Sequence, residues 1–77
     1  MKSVVLEVSS YVDKVQYNRV VSIRNKCLDV LRSQLIDIAQ DLGADIDWTT
    51  EKITAEEKPG ERRCEDKLLI KIIVEAK

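Results

Sequence analysis

A stretch near the C-terminus, LLIKIIVEA, has apolar residues on both faces of a β-strand. Along it, residues 68, 70, 72, 74 and 76 are all apolar and share one face, and Leu69 and Ile73 share the other with Lys71 and Glu75. A strand that is apolar on both faces is covered on both sides, and such strands are usually central in a sheet. The sequence therefore predicts a sheet whose middle strand spans residues 62–76.

A long amphipathic helix is predicted to end at Leu42. Apolar residues recur at alternating steps of four and three, with only Arg24 interrupting the series: Tyr17, Val21, Leu28, Leu31, Leu35, Ile38 and Leu42. Gly43 supplies the left-handed residue that commonly ends a helix. Two N-terminal caps remain open, Ser10 with Asp13 or Asp13 with Gln16. About 28 residues give a helix about 42 Å long.

Two further strands complete the sheet. The Val-rich residues 2–8 predict a first strand, although Val4, Val8, Tyr11 and Val15 also fit a helical spacing. Residues 46–56 predict a second strand, in which strict alternation puts Ile46 and Trp48 on one face and Ile53 and Ala55 on the other. The apolar residues thus change face within the strand, and a bulge or bend near Thr50 would explain that change. The segment EKPGE then contains the turn of a hairpin.

These elements define one domain of the α+β class, comprising all 77 residues in the order β-α-β-β. The simplest arrangement is a three-stranded antiparallel sheet with strand order 1-3-2 and the long helix packed across one face. Neither repeats nor linkers divide the chain.

A chain this short has a small core, and we expect it to associate with itself, most simply as a homodimer. Domains of this size bury only about 60% of their unfolded surface, and oligomerisation is one remedy. The helix covers one sheet face, so Val5, Leu69 and Ile73 are left on the other, and both outer strands have unpaired edges. Two further interface candidates are Trp48, an aromatic residue in the second predicted strand, and Arg24, a charged residue within the apolar stripe of the helix.

No catalytic, metal or cofactor site is expected. The two cysteines do not form a CxxC pair and the sequence contains no histidine, so the usual zinc ligand sets and a histidine-activated nucleophile are both missing. Cys27 and Cys64 are interpreted as two reduced thiols. Asp45 and Asp47 lie two residues apart at a strand start, where carboxylates could hold a divalent cation but usually mark a solvated strand end. We therefore expect a protein that is not an enzyme.

The charge and hydropathy pattern predicts a cytoplasmic protein. Thirteen basic and fourteen acidic residues give a net charge of −1, which provides no general attraction to nucleic acid or to anionic membranes. No apolar run approaches about 18 residues, and the N-terminus does not look like a signal peptide.

Nucleic-acid binding is one alternative function. Lys58, Arg62 and Arg63 lie at the tip of the predicted hairpin, where a β-ribbon could enter a groove. The order of helix, strand, charged turn and strand over residues 28–76 resembles the C-terminal part of the archaeal chromatin protein Alba. That resemblance implies binding of nucleic acid through the hairpin.

Flavin or small-ligand binding is a second alternative. The run IDW at residues 46–48, together with the β-α-β-β order, is similar to dodecin, a small flavin-binding assembly. That resemblance implies that Trp48 stacks on a flavin. The order of elements is equally similar to the dimeric C-terminal domain of the division factor MinE.

The function that the sequence favours is that of a homo-oligomeric interaction or assembly module that binds another protein. Its candidate surfaces are the open sheet face, an exposed strand edge and the predicted hairpin, which lies in residues 43–66 where acidic residues outnumber basic ones. A small acidic chain with an apolar sheet and no catalytic group is also typical of a regulator, or of a phage-type inhibitor of another protein.

Overall fold

The structure, a computed structural model, describes residues 3–57 and 67–77. In chain order the elements are β1 (Val4–Asp13), α1 (Lys14–Arg19), α2 (Val21–Leu42), β2 (Ile46–Glu57) and β3 (Lys67–Ala76). The three strands form one antiparallel sheet in the order β1-β3-β2, which confirms the predicted α+β fold and the central position of the C-terminal strand. No described helix has the length and apolar character needed to cross a membrane.

The central strand follows the predicted alternation. Leu68, Ile70, Ile72, Val74 and Ala76 are buried beneath the helix, with Ile70, Ile72, Val74 and Ala76 fully inaccessible. Leu69 and Ile73 point to the opposite face and are half-buried. β3 thus supplies five of the eleven buried apolar residues in the described part of the chain, and burial of each Leu, Ile or Val among them contributes about 2 kcal/mol.

The first strand is longer than predicted and is not helical. It runs to Asp13 without a register shift, so the predicted end at residue 8 and the helical alternative for this segment are both wrong. Ser9 and Ser10 continue the strand because their partners on β3, Lys71 and Ile70, are themselves regular strand residues. Serine has no strong helical or strand preference, so the neighbouring strand decides the outcome.

The predicted single helix is in fact two helices. Val20 adopts an extended conformation (φ −110°, ψ 101°) between α1 and α2. The 22 residues of α2 give a length of about 33 Å, not the predicted 42 Å. Asp13, not Ser10, begins α1, since its carboxylate accepts a 2.9 Å hydrogen bond from the Gln16 amide. Gly43 ends α2 at φ 66°, as predicted.

The break at Val20 also changes which helix residues are buried. Tyr17, Leu31 and Leu35 face the core as predicted, and Ala39 joins them. Three members of the predicted stripe, Val21, Ile38 and Leu42, are exposed instead. An extended residue at position 20 rotates α1 relative to α2, so a single helical periodicity across both cannot hold.

The second strand contains the predicted irregularity. Asp47 pairs with Glu75 and Lys52 pairs with Ile73, so residues 48–51 lie opposite the single residue Val74. The insertion accounts for the break in the apolar alternation, because Ile46 lies opposite Ala76 and Ile53 opposite Ile72, which places both on the helix side.

Candidate functional site

The outer edge of β1 is the longest regular sheet edge in the described part of the chain. The strand pairs with β3 along its whole length and no described strand pairs with its other side. Asp45 and Lys77 exchange both backbone hydrogen bonds, at 2.8 and 2.9 Å, so Lys77 directs its N–H and C=O towards β2. Backbone groups alternate in direction along a strand. Odd-numbered β3 residues therefore point to β2, and even-numbered ones point to β1.

The same alternation fixes which β1 residues point outward. Even-numbered β1 residues pair with even-numbered β3 residues, for example Val8 with Ile72. Their backbone groups therefore face β3. The odd-numbered residues, including Glu7 and Ser9, direct their N–H and C=O groups away from the sheet. The result is a row of hydrogen-bonding groups at the free edge.

This edge has few of the features that usually prevent strand addition. Soluble proteins protect edge strands with proline, lysine, bulges or short length. The β1 sequence VVLEVSSYVD contains neither proline nor lysine, its register is unbroken, and its two charged residues are Glu7 and, at its end, Asp13. By contrast, β2 is interrupted at residues 48–51 and has charged residues at Lys52, Glu56 and Glu57.

An apolar groove runs between this edge and α2. It has a volume of about 300 Å³, and the apolar residues that line it are Val12, Ile23, Cys27, Val30 and Leu31. Val30 is half exposed to solvent. Burial raises the pKa of the Cys27 thiol, so this free cysteine stays protonated at neutral pH. The groove extends the apolar character of the edge onto the helix.

The open sheet face contains three of the predicted interface residues. Val5, Leu69 and Ile73 all lie there, and Val5 is 65% exposed. They do not form one continuous apolar patch, because Lys71 lies between Leu69 and Ile73 and its Nζ is 3.4 Å from a carboxylate oxygen of Glu7. Packing this whole face against another sheet would require removing that ion pair from water.

The bulge in β2 is held by side-chain hydrogen bonds. Asp47 Oδ1 accepts from the Thr49 hydroxyl at 2.5 Å and from the Thr49 amide at 3.1 Å, and these bonds hold the pKa of Asp47 below its usual value. The Thr50 hydroxyl donates to the Asp47 carbonyl at 2.7 Å and accepts from the Glu75 amide at 2.8 Å. Thr50 thus replaces a backbone partner that the insertion removes from Glu75.

A bidentate ion pair joins this bulge to α2. Arg32 donates from Nε and Nη2 to the two carboxylate oxygens of Glu51, at 2.9 and 3.0 Å. The hydrogen bond from Arg32 lowers the pKa of Glu51, and the same bond raises the pKa of Arg32. The Glu51 side chain is only 17% exposed, so this pair is better shielded from water than the Glu7–Lys71 pair.

Trp48 lies within the bulge and is 41% exposed. It borders a cleft of about 200 Å³ that also includes Ile36, Ala39 and Ile46. The indole is therefore accessible beside the C-terminal half of α2. The predicted stacking of Trp48 on a flavin is not tested by this placement and stays a prediction.

The other candidate residues are divided between described and undescribed parts of the chain. Arg24 is half-buried on α2, and its backbone amide donates to the Val20 carbonyl at 3.1 Å. Its guanidinium forms no hydrogen bond or ion pair with a residue in the described ranges. Lys58, Arg62 and Arg63, the predicted nucleic-acid residues, lie outside the described residues, as does Cys64. Within residues 3–57 and 67–77, no group of acidic or cysteine side chains is arranged to hold a metal ion.

The sequence interpretation missed the groove and the length of the edge. Val12 lies beyond the predicted end of β1 at residue 8, and the helical pattern predicts only that Cys27 and Val30 widen the apolar stripe of the helix. One signal was available: Tyr11 and Val12 have strong strand preferences and follow Ser9 and Ser10 in continued alternation.

Comparison with models of known families, with curated proteins and with solved structures returned no match to this chain. The functional argument therefore depends on the geometry of the chain itself.

Proposed function

We propose that this protein is an interaction or assembly module that acts through strand addition at the free edge of β1. The observation that supports this proposal is the ten-residue, unbroken and weakly protected edge of that strand. Main-chain hydrogen bonds to an added strand provide affinity, and side-chain contacts on either face provide specificity.

The surroundings of the edge favour the same function. Val4 and Val5 lie on opposite faces of the strand and are both exposed, and the groove beside α2 adds Val30. An added strand would remove these apolar groups from water on both sides of the sheet. The proposed function is therefore non-enzymatic binding of a protein strand, with self-association as its simplest form.

A matched pair of proline substitutions tests the proposal. Ser9→Pro removes an outward N–H from the β1 edge without removing a bond to β3. Ala55→Pro does the same at the opposite edge, because Thr54 and Glu56 pair with the β3 residues that point towards β2. Both positions are exposed, so the two variants should fold comparably.

The measurement is native mass spectrometry or light scattering of the unsubstituted protein and both variants, with circular dichroism to check the fold. We expect the unsubstituted protein and Ala55→Pro to be oligomeric and Ser9→Pro to be monomeric. Equal loss of association in both variants, or association that survives in Ser9→Pro, would exclude the β1 edge as the binding surface.

A further inference from the structure

We propose that the strand added to β1 is β1 of a second copy, paired antiparallel about a two-fold axis that passes through Val8. This inference depends on the proposed function and makes it more specific. It predicts a six-stranded sheet with strand order β2-β3-β1-β1-β3-β2, in which both copies of α2 lie on the same face.

Symmetry limits the registers that such a pair can adopt. Directly opposed residues in antiparallel strands share a face. A two-fold axis must therefore pass through a residue, not between two residues. Near the middle of β1 the candidate centres are Glu7, Val8, Ser9 and Ser10.

Charge removes two of these four registers. A centre at Glu7 would place Glu7 opposite its own copy. A centre at Ser10 would place Glu7 opposite Asp13. Like charges directly opposite one another destabilise a sheet. The registers centred at Val8 and Ser9 contain no such pair.

Apolar matching then selects between the two that remain. With the axis at Val8, Val5 lies opposite Tyr11 on the open face and Val4 lies opposite Val12 on the helix face. With the axis at Ser9, Val5 would lie opposite Asp13. Val5 is 65% exposed and Tyr11 50% exposed in the single chain, so pairing them covers two apolar side chains at once. Aromatic and β-branched residues form favourable cross-strand pairs.

The helices are compatible with this sheet. The residues buried under α2 come from both β1 and β3, so the helix lies above that strand pair. Two copies of α2 would then be separated by about two strand spacings, or about 10 Å, which is an ordinary distance for packed helices. The flank of α2 that lines the β1 groove, with Cys27 and Val30, would face the second copy.

Cysteine crosslinking tests the register. In a background with Cys27→Ser and Cys64→Ser, we would oxidise Val8→Cys and Ser9→Cys separately and measure covalent dimer on a denaturing gel. With the axis at Val8, the two Cα atoms of residue 8 are about 4.5 Å apart, which suits a disulfide. The two residues at position 9 are then diagonal, about 7–8 Å apart, at or beyond the usual limit.

We expect Val8→Cys to form covalent dimer at least about ten times faster than Ser9→Cys. Faster crosslinking of Ser9→Cys would overturn the register while leaving edge pairing intact. If neither variant crosslinks, the open-face crosslink between residues 5 and 11 also fails and the unsubstituted protein is still a dimer, pairing of β1 with itself is wrong. A monomeric unsubstituted protein that takes up no strand at this edge would contradict the proposed function as well.

Because residue 8 lies beneath the helix, a second crosslink uses the accessible open face. Chains with Val5→Cys and chains with Tyr11→Cys, mixed in the same background, should form a covalent heterodimer on oxidation. The matched control mixes Val5→Cys with Asp13→Cys, a pair that is opposed only when the axis is at Ser9. Preferential crosslinking in the control mixture would overturn the proposed register.

Discussion

The ion pair between Arg32 and Glu51 provides the most direct test of how the helix is fixed to the sheet. We would measure urea unfolding of four proteins: unsubstituted, Arg32→Met, Glu51→Gln and the double variant. The coupling energy from this cycle isolates the interaction between the two side chains. Exposed pairs contribute about 0.2–1 kcal/mol, whereas hydrogen bonds to charged groups contribute about 1.5–3 kcal/mol.

The structure places this pair between those limits. The Arg32 side chain is 36% exposed and Glu51 17% exposed, and the contact is bidentate. We therefore expect a coupling energy of about 1 kcal/mol at pH 7 and low salt. A control cycle on Glu7 and Lys71, where the Glu7 side chain is 52% exposed, should give less than about 0.5 kcal/mol.

The coupling should also depend on pH in a defined direction. The folded-state pKa of Glu51 is lowered from its ordinary value of 4.5. Its contribution is therefore fully present above that value and is lost as the pH falls through the lower folded-state pKa. Coupling that is near zero at pH 7, equal to that of the control pair, or unchanged when the carboxylate is protonated would refute this reasoning.

Two further substitutions test local features of the fold by the same unfolding measurement. Gly43→Ala should destabilise by about 1–2 kcal/mol from backbone strain alone, because φ is 66° and no heavy atom lies within 4 Å of the added carbon; a neutral effect would contradict this. Thr50→Val should cost about 0.5–1.5 kcal/mol because the exposed Glu75 amide loses its hydroxyl acceptor, whereas Thr50→Ser should retain most of the stability.

The sequence predicted the fold because its strongest patterns coincide with the core. The alternation in residues 68–76 is intrinsic to a strand covered on both faces, and Gly43 adopts the conformation that glycine allows most readily. These are local signals, and each determines its own part of the structure. The order of strands then follows from a central C-terminal strand with which both other strands pair antiparallel.

The errors arose where tertiary contacts override local preference. Ser9 and Ser10 predict the end of the first strand, but pairing with β3 keeps both residues within β1. No glycine or proline marks the helix break at Val20, so the apolar periodicity predicts one continuous helix from Tyr17 past Leu31. The candidate site depends on these same segments, which is why its residues were predicted only in part.

The bulge at residues 48–51 bears on how far assembly can proceed. A sheet with two equivalent edges behaves as a bifunctional monomer, and each added copy exposes a new edge, so growth does not terminate. Here one edge is regular and the other is interrupted and carries Lys52, Glu56 and Glu57. If two copies pair through β1 as proposed, both regular edges are used and only the interrupted edges stay exposed. On that proposal, the insertion in β2 would limit growth of the sheet beyond the dimer.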